Sequence, residues 1–311
     1  MISKRDCLNI LQSDGNWWEY YAQAILVKKN RSGNRIRLNT LLNAKSGLCA
    51  EDCGYCSQAK GSKSNIERYG LLPKNQIIRQ AIIAKRNNSS VFCIALSGTR
   101  PTDKEISILC DVISEIKRIM TIEICLSIGL VRDDQLVKLK AAGVDRINHN
   151  LNTPRDNYPK ITMTHTYQDR LDTLEVLRRN NINTCSGFIC GMGETDEQLI
   201  ELAFDLKSQE PYSVPVNFLL PIKGTKLEGR NELTPMRCLK ILVMLRLLFP
   251  DTELRISAGR EYHLGEMQQL AILIVDSIFL GNYLTEKGAK ISEDQKLIQG
   301  LGLTVEGECN G

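Results

Sequence analysis

Three cysteines, Cys49, Cys53 and Cys56, stand within eight residues in "SGLCAEDCGYCSQAK". Their spacing is C-x3-C-x2-C, and the next cysteine in the chain is Cys93. A closed structural zinc site takes four ligands, usually as two short-spaced pairs. Four-iron clusters are also held by cysteine thiolates, normally four of them. A three-thiolate set leaves one metal position open, and an open position admits a small chelating molecule. The weaker alternative is a three-thiolate zinc site with a distant fourth ligand, because the only histidines are His149, His165 and His263.

A second set is spread along the chain. Cys93, Cys125 and Cys185 fall in the runs "VFCIALS", "IEICLSIG" and "INTCSGFIC". Singly, each reads as a small buried hydrophobe. On separate strands of one barrel they can converge in its lumen, and Arg255 of "LRISAG" can join them from another strand. Buried thiolates need nearby positive charge, which iron and Arg255 would supply; three unrelated core cysteines is the competing reading. Cys7, Cys110, Cys190, Cys238 and Cys309 fall on helices, a strand end or the tail and are read as structural.

Amides form a third group. Asn148, Asn150 and Asn152 of "NHNLNT" are spaced by two and are expected on one face of a strand. Asn217 of "VPVNFLL" adds another. Facing a lumen, these amides suit a urea-like or ribose-like ligand; otherwise loop backbone would satisfy them.

The elements that must position these groups alternate. The strand-like runs are "IRLNTLLN", "VFCIALS", "IEICLSIG", "DRINHNL", "INTCSGFIC", "VPVNFLL", "LRISAG" and "SIFLGNY", with helical patterns such as "TDKEISILCDVISEIKRIM" and "TPMRCLKILVMLRLLF" between most of them. Thr102 and Thr195 are placed as helix N-caps, and Gly143 closes a helix. Eight such units predict an α/β fold, a (β/α)8 TIM-type barrel, with an open doubly wound sheet as the alternative. A single domain is expected: a helical N-terminal extension to about residue 35, a barrel over about 36–285 and a tail over 286–311. Chemistry in such a barrel gathers at the C-terminal ends of the strands, where the three-cysteine loop lies.

Composition narrows the function classes. In 311 residues, 42% are hydrophobic and 24% charged, ordinary for a globular chain. The 40 Lys+Arg against 36 Asp+Glu are scattered, and aromatics are 5%, so a nucleic-acid groove or stacking platform is not expected. Lys28, Lys29 and Arg31 read as a solvated helix face. The N-terminus lacks a signal-peptide pattern, and Lys240 and Arg246 break the longest apolar run, so no membrane association and a cytoplasmic setting are expected. Eleven cysteines in a reducing compartment point to metal ligands rather than disulfides.

The three-cysteine loop, with Tyr55 before its last cysteine, resembles that of radical S-adenosylmethionine enzymes. With "TIEICLSIG", "INHNLNT", "TYQDRLDTLE", "CSGFICGMGET", "VPVNFLLPIKGT", "LRISAGRE" and "SIFLGNYLT", the chain resembles the biotin synthase family over nearly its whole length. The resemblance implies a 4Fe–4S cluster on Cys49, Cys53 and Cys56, completed by S-adenosylmethionine. It implies a 2Fe–2S cluster on Cys93, Cys125, Cys185 and Arg255, which provides sulfur for insertion between C6 and C9 of dethiobiotin. It places Asn150 and Asn152 near the S-adenosylmethionine ribose, Arg170 at its carboxylate, and Asn148 and Asn217 at the dethiobiotin ureido ring. Reduced flavodoxin or ferredoxin as electron donor and a homodimer are implied as well. Two features depart from the pattern: Asn152 where many members have Asp, and "IALSGTRP" after Cys93. Rival readings are another radical enzyme of this fold, which generally needs the first cluster alone, a simple iron–sulfur electron carrier, or a zinc-binding nucleic-acid module.

Overall fold

Each β-branched run becomes part of a parallel ring. In the computed structural model, which describes residues 2–306, β1 (Arg35–Lys45), β2 (Val91–Leu96), β3 (Glu123–Ser127) and β4 (Arg146–Asn148) come first. They are followed by β5 (Asn183–Cys185), β6 (Phe188–Cys190), β7 (Ser213–Phe218), β8 (Glu253–Ile256) and β9 (Ser277–Leu280). β5 and β6 are two pieces of one stave, so the ring has the eight staves expected of a (β/α)8 barrel. β9 pairs with β1 from Arg37↔Ser277 to Thr40↔Leu280, and this contact closes it. β10 (Thr304–Val305) pairs with the start of β1 outside the ring, after the helix Ile291–Gly300.

Helices cover the outer face, which is why β2, β8 and β9 are buried along their whole length. The helix Asp103–Ile119 shows the local logic. Thr102 and Glu105 form a capping box, and Ile106, Leu109, Val112, Ile113 and Ile116 make a buried stripe at spacings of three and four. Thr195 caps the helix Asp196–Ser208 the same way, and Gly143 takes φ 99° to end the helix Asp133–Ala142. The helix Pro235–Leu248 is buried all round from Cys238 to Leu248, because the N-terminal helices Lys4–Gln12 and Trp17–Ser32 pack on it from outside. Among the described residues no helix is long and apolar enough to cross a membrane.

Three sequence expectations need correction. Lys28 is buried rather than solvated; its ammonium donates to the Gly33 and Arg35 carbonyls at 2.7 and 3.0 Å and so closes the turn into β1. "INTCSGFIC" is not one continuous strand, because it breaks at Ser186–Gly187 where the chain crosses close to Pro215. Asn150 and Asn152 are not on a strand face with Asn148: β4 ends at Asn148, and Asn152 adopts φ 68°. The reason is local. The Gly187 carbonyl accepts from both Leu151 and Asn152 N–H groups, at 2.9 and 3.3 Å, which turns the backbone out of the ladder. Cys7, Cys110 and Cys238 lie on helices and Cys190 ends β6, while Cys309 lies outside the described residues.

Charge is buried at the N-terminal floor of the barrel. Arg37 and Arg146 both pair with Glu123 and Glu253, and the Ser277 hydroxyl donates to Glu253 at 2.7 Å. Burial alone would raise the Glu253 carboxyl, but Arg146, Arg255 and Arg37 outweigh it and hold it at about 2. A second buried pair ties the N-terminal helices to the barrel. Arg246 Nη1 stands 2.6 Å from Asp276 Oδ2, which also accepts from Leu254 N–H at 2.9 Å, and Arg31 lies 2.8 Å from the other carboxylate oxygen. Removing one partner strands a buried charge, so Asp276→Ala should lower unfolding free energy by about 3–5 kcal/mol in urea titrations. Glu201→Ala, which breaks only the exposed pair with Lys4, should change it by less than about 1 kcal/mol.

Candidate functional site

Above the charged floor, the strand register sets out the next level of the lumen. Cys93 and Cys125 are direct partners across β2 and β3, and Cys185 is opposite Asn148 across β4 and β5. Arg255 enters from β8, next to Pro215 and Ser277. The three cysteines pack with Val91, Phe279 and Tyr283 in a cluster separate from the main hydrophobic core. The convergence is real, and it is lumenal.

The electrostatics of this level are one-sided. Burial pushes the Cys185 thiol well above its ordinary value, and Arg146 and Arg255 pull it back toward ionisation. The Arg255 guanidinium is fully buried, 4.8 Å from the Phe279 ring centre and 3.4 Å from Asn39 Oδ1. Its Nε finds no hydrogen-bond partner among the described residues. An arginine with an orphaned donor beside three thiols is a donor set suited to an anionic sulfur group.

The loop cysteines sit at the C-terminal mouth. Cys49, Cys53 and Cys56 line a cavity of about 340 Å³ that reaches down to Phe279. Burial pushes the Cys56 thiol up to about 12. Among the described residues no three His, Cys, Asp or Glu side chains stand close enough to share one ion directly. A cluster that sets a different iron under each thiolate spreads its ligands wider than a single ion does.

The loop is held by side chains that sequence reasoning missed. Asp52 accepts from Thr162 Oγ1 and Met163 N–H, at 2.7 and 2.9 Å. Glu51 accepts from the Thr99 and Thr164 hydroxyls and lies 2.6 Å from His165 Nδ1. His165 Nε2 is 2.9 Å from Arg170 Nη2, and Arg170 Nε donates to the Tyr158 hydroxyl at 3.1 Å. Ser57 meets Thr285 at 2.7 Å. The one sequence signal was the pair of acidic residues inside the cysteine loop, "CAEDC"; their partners lie from 48 to 114 residues away.

All four predicted amides line the same cavity, together with Arg170. Each already has a protein partner. Asn148 Nδ2 donates to Ser127 Oγ at 3.5 Å, and Asn150 Oδ1 accepts from Gly187 N–H at 3.1 Å. Asn152 contacts the Tyr158 hydroxyl. Asn217 Nδ2 donates to the Phe188 carbonyl and its Oδ1 accepts from Ala258 N–H, both at 3.2 Å. Because an amide has two protons and two lone pairs, capacity remains for a ligand. His149 Nε2, Ser97 Oγ and Ser257 Oγ in the same cavity wall are buried without partners among the described residues.

Residues 45–206 match the Radical SAM superfamily, and residues 215–304 match the Biotin and Thiamin Synthesis associated domain. The biotin synthase of Streptococcus agalactiae serotype V is 57% identical over 302 residues, covering 97% of this chain and 92% of that one. That of Bacillus cytotoxicus is 45% identical over 309 residues, covering 99% and 93%. This chain belongs to the biotin synthase family. The fold is shared more widely. Methylornithine synthase superposes with a TM-score of 0.85 at 20% identity over 98% of this chain and 94% of that one. The hydrogenase maturase HydG of Carboxydothermus hydrogenoformans gives 0.84 at 20% identity, over 98% and 76%. In this biotin synthase family member the two matched segments meet inside one barrel: the six lumenal and loop cysteines precede residue 206, Arg255 and Asn217 follow residue 215, and β7 pairs with both β5 and β6 across the divide.

Gly187 sits at that seam. A Cβ there would collide with the Pro215 carbonyl, so Gly187→Ala must push β7 from β5 or displace the Asn150 partner. The expected loss is about 1–3 kcal/mol, read as a lower urea midpoint.

Proposed function

We propose that this chain converts dethiobiotin to biotin by inserting sulfur between C6 and C9, as a radical S-adenosylmethionine sulfurtransferase. The observation that carries the reading is the second donor set. Three cysteines and a buried arginine meet in the lumen beneath the loop thiols, where a radical enzyme with only the loop site has no use for them. In this reading Cys49, Cys53 and Cys56 hold a 4Fe–4S cluster, and Cys93, Cys125, Cys185 and Arg255 hold a 2Fe–2S cluster. When bound, these groups and S-adenosylmethionine supply reductive cleavage to a 5′-deoxyadenosyl radical and the inserted sulfur.

The chain's own residues orient and enclose. Arg170 takes the S-adenosylmethionine carboxylate as a charge-assisted pair, a reading supported by its contacts to His165 and Tyr158 at the cavity wall. Asn150 and Asn152 serve its ribose; Asn152, lacking a charge, grips hydroxyls more weakly than Asp would. Asn148 and Asn217 take the ureido ring of dethiobiotin, whose N–H and carbonyl groups match neutral amides. Leu41, Ile189, Phe279 and Tyr283 in the cavity wall exclude water and other hydrogen donors, which a reactive carbon radical requires. Reduced flavodoxin or ferredoxin serves as electron donor, in the cytoplasm, and the working form is a homodimer.

Anaerobic turnover with dethiobiotin, S-adenosylmethionine and reductant tests the reading, with biotin and 5′-deoxyadenosine assayed together. Cys56→Ala should abolish both products. Cys125→Ala should bind less iron and make no biotin while still releasing some 5′-deoxyadenosine; normal biotin from it would reduce Cys125 to core packing. Asn217→Ala should weaken dethiobiotin binding by about 1–3 kcal/mol and S-adenosylmethionine binding far less, and equal losses would remove its assignment to the ureido ring.

A further inference from the structure

We infer that His165 is a positioning residue for S-adenosylmethionine: a neutral imidazole, oriented by Glu51, turns the Arg170 guanidinium so that its open edge meets the ligand carboxylate. The inference rests on the assignment of Arg170 proposed above. His165 itself is set back from the ligand. Glu51 and Arg170 line the cavity and His165 does not, so the imidazole acts through its neighbours.

The donor pattern fixes the ring. His165 Nε2 lies 2.9 Å from Arg170 Nη2, and a guanidinium can only donate. Nε2 must therefore present its lone pair, and the proton of the neutral ring sits on Nδ1, 2.6 Å from Glu51 Oε2. Burial and the adjacent Arg170 push the imidazole pKa below its ordinary value, which favours this neutral form. Glu51 is itself held. Its carboxylate accepts from the Thr99 and Thr164 hydroxyls, and its backbone carbonyl accepts from Lys60 N–H at 2.7 Å. The Tyr158 ring meets the imidazole edge to face, with 5.7 Å between centres, and so restricts its plane. The side chains of His165 and Glu51 are only 7% and 11% exposed, so water competes little for these bonds.

Arg170 is thereby left with one open edge. Its Nε donates to the Tyr158 hydroxyl at 3.1 Å, and one Nη2 proton goes to His165. No other hydrogen bond among the described residues occupies the guanidinium, so the edge formed by Nη1 and Nη2 is free for a bidentate carboxylate pair. The neutral ring between Glu51 and Arg170 also keeps the two charges from pairing directly. A direct ion pair would neutralise the guanidinium that the ligand needs; the imidazole passes on orientation and leaves the charge.

The test uses full-length protein with its clusters reconstituted anaerobically, and equilibrium dialysis with two labelled probes. One is S-adenosylmethionine; the other is decarboxylated S-adenosylmethionine, which lacks the carboxylate. His165→Phe keeps a ring of similar size and loses both hydrogen bonds. It should bind S-adenosylmethionine about tenfold more weakly than the natural chain, while its affinity for the decarboxylated probe stays unchanged. His165→Gln, whose amide offers an acceptor toward Arg170 and a donor toward Glu51, should restore most of the lost affinity. An equal loss for both probes in His165→Phe reduces His165 to packing and overturns the inference. So does an unaltered S-adenosylmethionine affinity, or a His165→Gln variant as weak as His165→Phe. If the natural chain binds the two probes equally well, the assignment of Arg170 to the carboxylate fails instead, whatever His165 does.

Discussion

Anionic sulfur in a dry lumen needs compensating positive charge, and the interior of this barrel is organised around that need. Arg255 alone would leave one guanidinium facing three thiols. Below it, Arg37 and Arg146 are interleaved with Glu123 and Glu253, two guanidiniums against two carboxylates. Both Arg146 and Arg255 act on the Cys185 thiol. Lysines would not serve as well, because an ammonium can shed its proton when buried, whereas arginine stays charged. The network is costly to desolvate and contributes little net stability; what it does is hold the Arg146 guanidinium in place near the Cys185 thiol. The Tyr212 ring, 4.6 Å from the Arg146 guanidinium, closes that floor from outside.

The wall and the site share the same bonds. Asn217 joins the Phe188 carbonyl to Ala258 N–H, and Asn150 holds Gly187 N–H, so the amides that face the cavity also bridge the break between β5 and β6. A stave interrupted at Gly187 cannot complete its own ladder there, and the side-chain amides take over the missing pairings. Ligand binding at these amides therefore acts on the part of the ring where regular hydrogen bonding is weakest.

Much of this was legible in the chain, for identifiable reasons. The cysteine loop declared itself by residue type and spacing. The lumenal cysteines were readable because alternation along a strand fixes which side faces in, and eight strand–helix units leave few topologies. The amide run misled because alternation was extended past the true end of β4: the Gly187 carbonyl, thirty-five residues away from Asn152 in sequence, ends the strand. Lys28 misled because polar composition on a helix says nothing of the two carbonyls at the next turn that bury it. Arg246, which looked like an interruption of an apolar run, is the partner of Asp276. The partners of Asn152 and Arg246 are remote in sequence and those of Lys28 lie just past its own helix, and no pattern of residue types within one element reports such partners.

The two donor sets are consequently held by different means. Cys93, Cys125 and Cys185 lie on paired strands, so their separations follow sheet register and change only if the barrel opens. Cys49, Cys53 and Cys56 lie on a loop whose shape depends on side-chain bonds from Glu51 and Asp52 to residues 162–165, and from Ser57 to Thr285. That same segment leads through His165 to Arg170. A group chelated at the mouth by the loop thiols and by a carboxylate partner at Arg170 would therefore tighten the loop and the arginine together. The strand-borne set below would feel this only through the rigid ring. Such a division would let a ligand enter and leave the upper level without disturbing the strand-borne cysteines beneath it.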